Sequence, residues 1–213
     1  MDAILSAAER MGIAMNEAQA ARFRQYLDML LAWNERMNLT AITDPEAVIW
    51  KHFLDSLSLL PLIEGDTLAD VGTGAGFPAL PLKIMRPELR LTLVDSLGKR
   101  LTFLAEVVAR LALEHVQLVH ARGEELSARL PHREAYDTVT ARAVASLAAL
   151  CRYCLDFVKP GGVLLAMKGP RPEAEIAGAL PALQARRAAV EAVRLVRFPY
   201  QDMVHSVVVV RKE

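Results

Sequence analysis

The chain has 213 residues, 53% of them apolar, with 25 Lys/Arg balanced by 25 Asp/Glu and only two cysteines. Zero net charge excludes capture of a polyanion by whole-molecule attraction, two thiols exclude a disulfide scaffold, and the composition is globular. No apolar run nears the ~18 residues of a membrane span, and "MDAILSAAERMG" lacks the basic lead and apolar core of a signal peptide, so a soluble cytoplasmic protein is expected.

Residues 1–62 read as a helical cap and residues 63–213 as a separate α/β domain. In "EAQAARFRQYLDMLLAWNERM", Phe23, Leu27, Leu30, Leu31 and Trp33 fall near one helical face, and Asn38 suits a left-handed helix end. Asp44 and Pro45 supply the N-cap and first position of the next helix. After Gly65 the rhythm changes. Strands are expected at Leu68–Val71, Leu91–Asp95, Val116–His120, Asp137–Ala141, Val163–Lys168, Val193–Pro199 and Val204–Arg211. Helices are expected at Phe77–Met85, Lys99–Ala112, Ser146–Val158 and Glu173–Ala189, with "KPGG" (159–162) as a turn. This alternation predicts a mostly parallel seven-stranded sheet covered by helices, its last strand antiparallel. Residues 1–64 hold five Lys/Arg against nine Asp/Glu, so the remainder carries the positive excess and permits a local basic face.

"LADVGTGAGFPALPLKI" (68–84) is a strand running into three glycines, Gly72, Gly74 and Gly76, and then a helix. Such a turn lets a nucleotide approach the backbone but does not name it. The spacing is G-x-G-x-G, not the dinucleotide G-x-G-x-x-G. Asp70 ends the strand just before it, where a carboxylate repels pyrophosphate and favours the sulfonium and ammonium of S-adenosylmethionine. Asp95 ends the next strand, placed to accept ribose hydroxyls.

The segments "DVGTGAGFPALPL", "LVDSLGKR", "ARGEEL" and "ARAVASL", with "LLAWNERMNLTAI" and "KHFLDSLSLL", lie in order from Trp33 to Arg211. In this the chain resembles the ribosomal RNA small-subunit methyltransferase G family, also called glucose-inhibited division protein B. The resemblance implies a Rossmann-like class I methyltransferase fold and methyl transfer from S-adenosylmethionine to N7 of one guanine in 16S ribosomal RNA. It places Gly72 and Phe77 along the cofactor, Asp95, Ser96 and Leu97 at its adenosine end, Gly123 and Glu124 beside the adenine, and Arg142 between cofactor and substrate. The chain departs from the family at Ala79, usually glycine, at "TAR" (140–142) for the common "SR", and at Val204, where arginine often precedes His205.

Guanine N7 carries a lone pair and no proton, so the reaction needs placement rather than a general base. No Asn/Asp-Pro-Pro-aromatic box follows the fourth strand. Arg142 is the expected positioning residue, with an ion pair to Asp137 or Glu124 as its bland alternative. Lys99, Arg100, Arg122, Lys168 and Arg171 follow predicted strands and are candidates for a phosphate-tracking rim. Cys151 and Cys154 lie mid-helix without the two further ligands of a zinc site, and no metal is expected. His52 and Asp55 suit a hydrogen-bonded helix anchor, to which the resemblance adds contact with substrate, and Trp33, Asn34 and Asn38 a seat for the cap. The expected partner is 16S rRNA or the small-subunit particle, bound by a monomer. The rival readings are a methyltransferase for a small molecule or protein, a nicotinamide oxidoreductase, and a non-catalytic RNA-binding protein.

Overall fold

The computed structural model describes residues 3–142, 145–198 and 203–213. It begins with helices α1 (Ala3–Arg10) and α2 (Glu17–Asn34). A capping box starts α2: Asn16 Oδ1 accepts from the Gln19 N–H, and the Gln19 side chain accepts from the Asn16 N–H. Its inward face is Phe23, Tyr26 and Leu30, all fully buried, while Leu27, Leu31 and Trp33 are half-buried. No left-handed cap forms at Asn38. The helix stops at Asn34 because that side chain accepts the N–H groups of Leu39 and Thr40, which draws the chain off the helix axis. Trp33 packs on Phe103 and donates to Glu106 at 3.1 Å.

Asp44 caps α3 (Pro45–Val48) as expected. The chain continues through a π-helical stretch, Ile49–Leu54, into α4 (Asp55–Leu57). The extra residue per turn is not written in the local sequence, and such turns recur where side chains must be re-aimed.

The remainder is a sheet of β1 (Thr67–Val71), β2 (Arg90–Asp95), β3 (Val116–His120), β4 (Tyr136–Arg142), β5 (Val158–Lys168), β6 (Ala188–Arg197) and β7 (Val204–Lys212). The order is β3-β2-β1-β4-β5-β7-β6, with β7 antiparallel to both neighbours and the other pairings parallel. Helices α5 (Ala79–Met85), α6 (Gly98–Arg110), α7 (Gly123–Leu126), α8 (Leu147–Phe157) and α9 (Glu173–Ala185) cover it. "KPGG" is no separate turn. It bulges within β5, where the partner of Tyr136 is Val158 and that of Thr138 is already Val163. α9 ends at Ala185, short of Ala189, because Arg187 takes φ +49° and the chain turns into β6. Pro199, expected as a strand end, lies outside the described residues. A continuous apolar core joins Ile4, Phe23 and Phe53 of the N-terminal helices to Leu80 of α5, Leu104 of α6 and Val209 of the sheet. A second core under α8 and α9 takes Cys151 and Cys154, whose thiols burial pushes up, Cys151 to about 11. Both sulfurs are thus core atoms.

Candidate active site

A cavity of about 530 Å³ opens where β1, β2 and β4 end, against the π-helical stretch. That is the side on which open α/β sheets bind ligands. Its floor is the glycine loop. Gly72, Gly74 and Gly76 take φ of +73°, +61° and +95°, and the N–H groups of Gly72 and Thr73 hang on the Val94 carbonyl. Only Gly72 and Gly74 line the cavity. Gly76 lies behind it, where an added Cβ would stand 2.6 Å from the Tyr26 hydroxyl oxygen and from Leu80 Cδ1. The requirement for glycine at 76 is therefore a packing requirement. Tyr26 itself donates to the Ala75 carbonyl and stacks on Phe77 at 5.4 Å, so α2 clamps the loop from outside.

Asp95 is buried and already organised. Oδ2 accepts the Gly74 N–H at 2.9 Å, Oδ1 accepts the Leu97 N–H at 2.9 Å, and Arg100 Nη1 lies 3.3 Å from Oδ2. Ser96 lines the cavity beside it, while the Leu97 side chain points to solvent. Ala121, Arg122, Gly123 and Glu124 form the next wall, backed by Tyr153. Gly123 is squeezed there, since a Cβ would meet Val71 Cγ1 at 2.6 Å.

Asp70 stands beneath the loop and does not line the cavity. Thr140 donates to its Oδ1 at 2.8 Å, and the Thr73 hydroxyl is buried beside the carboxyl. Burial pushes this carboxyl up to about 7, against the lowering pull of the Thr73 and Thr140 hydroxyls and the Arg142 charge.

The remaining wall is Leu39, Thr40, His52, Phe77 and Arg142. Arg142, at the end of β4, is not paired with Asp137 or Glu124. Asp137 belongs to Lys159 at 2.8 Å, near the start of β4. Arg142 Nη1 donates to the Asp55 carboxylate at 3.0 Å and to the Lys51 carbonyl at 3.2 Å, and Nη2 donates to His52 Nδ1 at 3.1 Å. Its Cζ sits 5.2 Å from the centre of the Phe77 ring, on which His52 stacks at 4.5 Å. His205 of β7 completes the cluster with Nδ1 2.8 Å from Asp55 Oδ1. Burial, with the Arg142 charge adding to it, pushes His52 down to about 4, so the ring is neutral near pH 7.

The five rim candidates separate. Lys99, Arg122 and Arg171 are exposed. Arg100 is tied to Asp95 and faces the cavity. Lys168 is not on the rim: its ammonium is buried against the Ala145 carbonyl at 2.5 Å and Glu175 at 2.9 Å. A lysine that follows a strand and precedes an acidic helix start is as well placed to pair inward as outward.

A family model described as rRNA small subunit methyltransferase G, GidB, matches residues 19–203. The chain belongs to the GidB family. Among curated members, the rRNA small subunit methyltransferase G of Alkaliphilus metalliredigens is 47% identical over 207 residues, covering 96% of this chain and 87% of that protein. The one from Acetivibrio thermocellus is 46% identical over 211 residues, covering 98% and 87%. Among solved structures, TrmN from Thermus thermophilus superposes with a TM-score of 0.59 at 24% identity over 74% of this chain and 48% of its own. TYW2 of M. jannaschii in complex with AdoMet gives 0.59 at 15% identity, over 75% and 74%. These likenesses give the fold, that of class I methyltransferases. Within this GidB chain, sequence reasoning missed Leu39, Thr40, Thr73, Ala75 and Tyr153 as lining residues and took His52 for an anchor. The "NLT" at 38–40 and the His52/Asp55 pair were the available signals.

Proposed function

We propose that this member of the rRNA small subunit methyltransferase G family moves a methyl group from S-adenosylmethionine to N7 of a guanine in 16S rRNA, free or in the small-subunit particle. The observation that carries the choice of N7 is the state of the wall facing the glycine loop. Both His52 nitrogens are engaged, by Thr40 and by Arg142, and the guanidinium is held by Asp55, so that wall offers no base to take a proton. A nucleophile that arrives without a proton suits it.

The cofactor, when bound, supplies an electrophilic methyl on a sulfonium. The chain's own groups fit it. Gly72 and Gly74 open the floor, Asp95 and Ser96 lie where ribose hydroxyls need acceptors, and Gly123 and Glu124 flank the base. Asp70, buried below the loop, carries negative potential there in its ionised form, which is populated above about pH 7. Residues 1–62 act as a cap that contributes Leu39, Thr40 and His52 to the cavity wall of the domain of residues 63–213. The enzyme is proposed to act as a monomer. Lys99, Arg122 and Arg171 are left to track phosphates. Among the described residues no helix is long and apolar enough to cross a membrane, which agrees with a cytoplasmic site of action.

The test is transfer of labelled methyl to small-subunit RNA from a strain lacking the modification, followed by mass-spectrometric mapping. Label at guanine N7 supports the reading. Label on an exocyclic amine, or none in RNA but label in a small molecule or protein, replaces it. Calorimetry adds a check: S-adenosylhomocysteine should bind and NAD should not.

Asp70 gives a pH prediction. Its folded value, about 7, lies above the usual carboxylate value, so between roughly pH 4 and 7 the folded chain binds more protons than the unfolded one and stability falls as pH rises. Asp70→Asn should flatten that slope, changing the stability difference between pH 5 and pH 8 by up to about 3 kcal/mol in urea melts. An unchanged slope would locate the titration elsewhere.

A further inference from the structure

Thr40 sits on the cavity wall with its hydroxyl oxygen held on two sides. The Ile42 N–H donates to Oγ1 at 3.0 Å, and His52 Nε2 lies 2.7 Å away. Which of the latter pair donates is settled by the far side of the ring. Arg142 Nη2–H points at Nδ1 from 3.1 Å, so Nδ1 must present its lone pair. The Lys51 carbonyl, also 3.1 Å from Nδ1, has a second lone pair beside the one Arg142 fills, so the deciding contact is the guanidinium, which has no lone pair and can only donate. The neutral ring therefore carries its proton on Nε2 and donates to Thr40. Both acceptor positions of the threonine oxygen are then filled, and its own hydrogen is left free to donate on a residue that lines the cavity.

The backbone beneath is equally fixed. Asn34 accepts the Thr40 N–H at 3.0 Å and donates to the Thr40 carbonyl at 2.9 Å. A hydroxyl normally rotates to act as donor or acceptor. This one is a donor only.

Guanine presents two acceptors, N7 and O6, on the edge that must face the methyl, whereas adenine presents N7 beside an N6 amino donor. We propose that Thr40 is a specificity-determining residue that donates its hydroxyl proton to O6 of the target guanine and rejects a purine bearing an amino group there. The inference rests on the N7 reading above and deepens it. Rejection comes from the filled lone pairs, because a donor facing a donor leaves both unpaired on desolvation. Thr40, His52 and Arg142 thus form a relay in which the arginine sets the tautomer and the tautomer sets the polarity of the hydroxyl.

The experiment places guanine or 2,6-diaminopurine at the target position of a ligated small-subunit RNA fragment. The second base keeps N7 and exchanges O6 for an amino group. The full-length enzyme is expected to prefer guanine by roughly 10- to 100-fold in kcat/KM. Thr40→Val should bring the ratio to within about threefold of unity, Thr40→Ser should restore it, and S-adenosylhomocysteine affinity should stay within about threefold in both. Nitrogen-15 spectra should show His52 protonated at Nε2. A ratio unaltered by Thr40→Val overturns the proposal, as does an Nδ1–H tautomer. A fall in S-adenosylhomocysteine affinity with the ratio intact assigns the hydroxyl to the cofactor instead. Guanine N7 left unmethylated by the wild-type enzyme is a different failure, that of the proposed function itself.

Discussion

Arg142→Ala is expected to lower kcat/KM for RNA methylation by at least about 100-fold, the scale on which a misplacement near 1 Å acts in a positioned reaction. The guanidinium joins three groups through one plane: Asp55 and the Lys51 carbonyl on Nη1, and His52 on Nη2. Truncation leaves Asp55, whose side chain is 11% exposed, facing only His205. It also frees the His52 ring to choose its tautomer. Breaking such a partly buried pair should lower stability by about 2–3 kcal/mol, less than for a fully buried one because the site is partly open to water. Arg142→Lys should recover stability before activity, since a point charge reaches Asp55 without also fixing His52. Kinetics and urea melts on the three proteins check both halves. Methylation by Arg142→Ala within about threefold of wild type would remove the arginine from the site.

Gly76→Ala should destabilise the chain by about 3–5 kcal/mol, from a strained backbone and an overpacked contact acting together. The residue sits at φ +95°, and the new Cβ would lie 2.6 Å from Tyr26 and Leu80 and 2.9 Å from Leu104 Cδ2. Tyr26 cannot step back cheaply, because its hydroxyl serves the buried Ala75 carbonyl. Gly74→Ala is the contrast. Its Cβ would meet nothing nearer than 4.0 Å, at a residue that lines the cavity. It should cost about 1 kcal/mol of stability while weakening S-adenosylhomocysteine binding. Thermal melts with and without S-adenosylhomocysteine separate the two effects. Equal melting temperatures for the two variants would mean the glycines are not divided in this way.

The sheet was legible because each strand is a short apolar run bounded by turn residues, and the glycine loop because three glycines and two carboxylates sit at strand ends. Those signals are local. What stayed hidden is made of distant pairs. Nothing near Asp55 announces His205, and nothing near Arg142 announces His52, because a π-helical turn aims His52 and Asp55 at it together. Gly76 and Gly74 look alike in sequence and differ only in what stands behind them. Lys168 has the surroundings of a rim cation in one dimension and Glu175 for a neighbour in three.

The place of β7 bears on how the chain matures. It follows the other six strands of the sheet in the chain, yet it lies between β5 and β6 rather than at the sheet's margin. Until it inserts, β5 and β6 hold open edges, and the second core lacks Val208 and Val210. The same strand brings His205 to Asp55. A growing chain thus completes its hydrophobic interior and its Asp55–Arg142 wall in one late event. Partly made protein has neither, and an interrupted chain presents two adhesive strand edges to its neighbours in place of a working cavity.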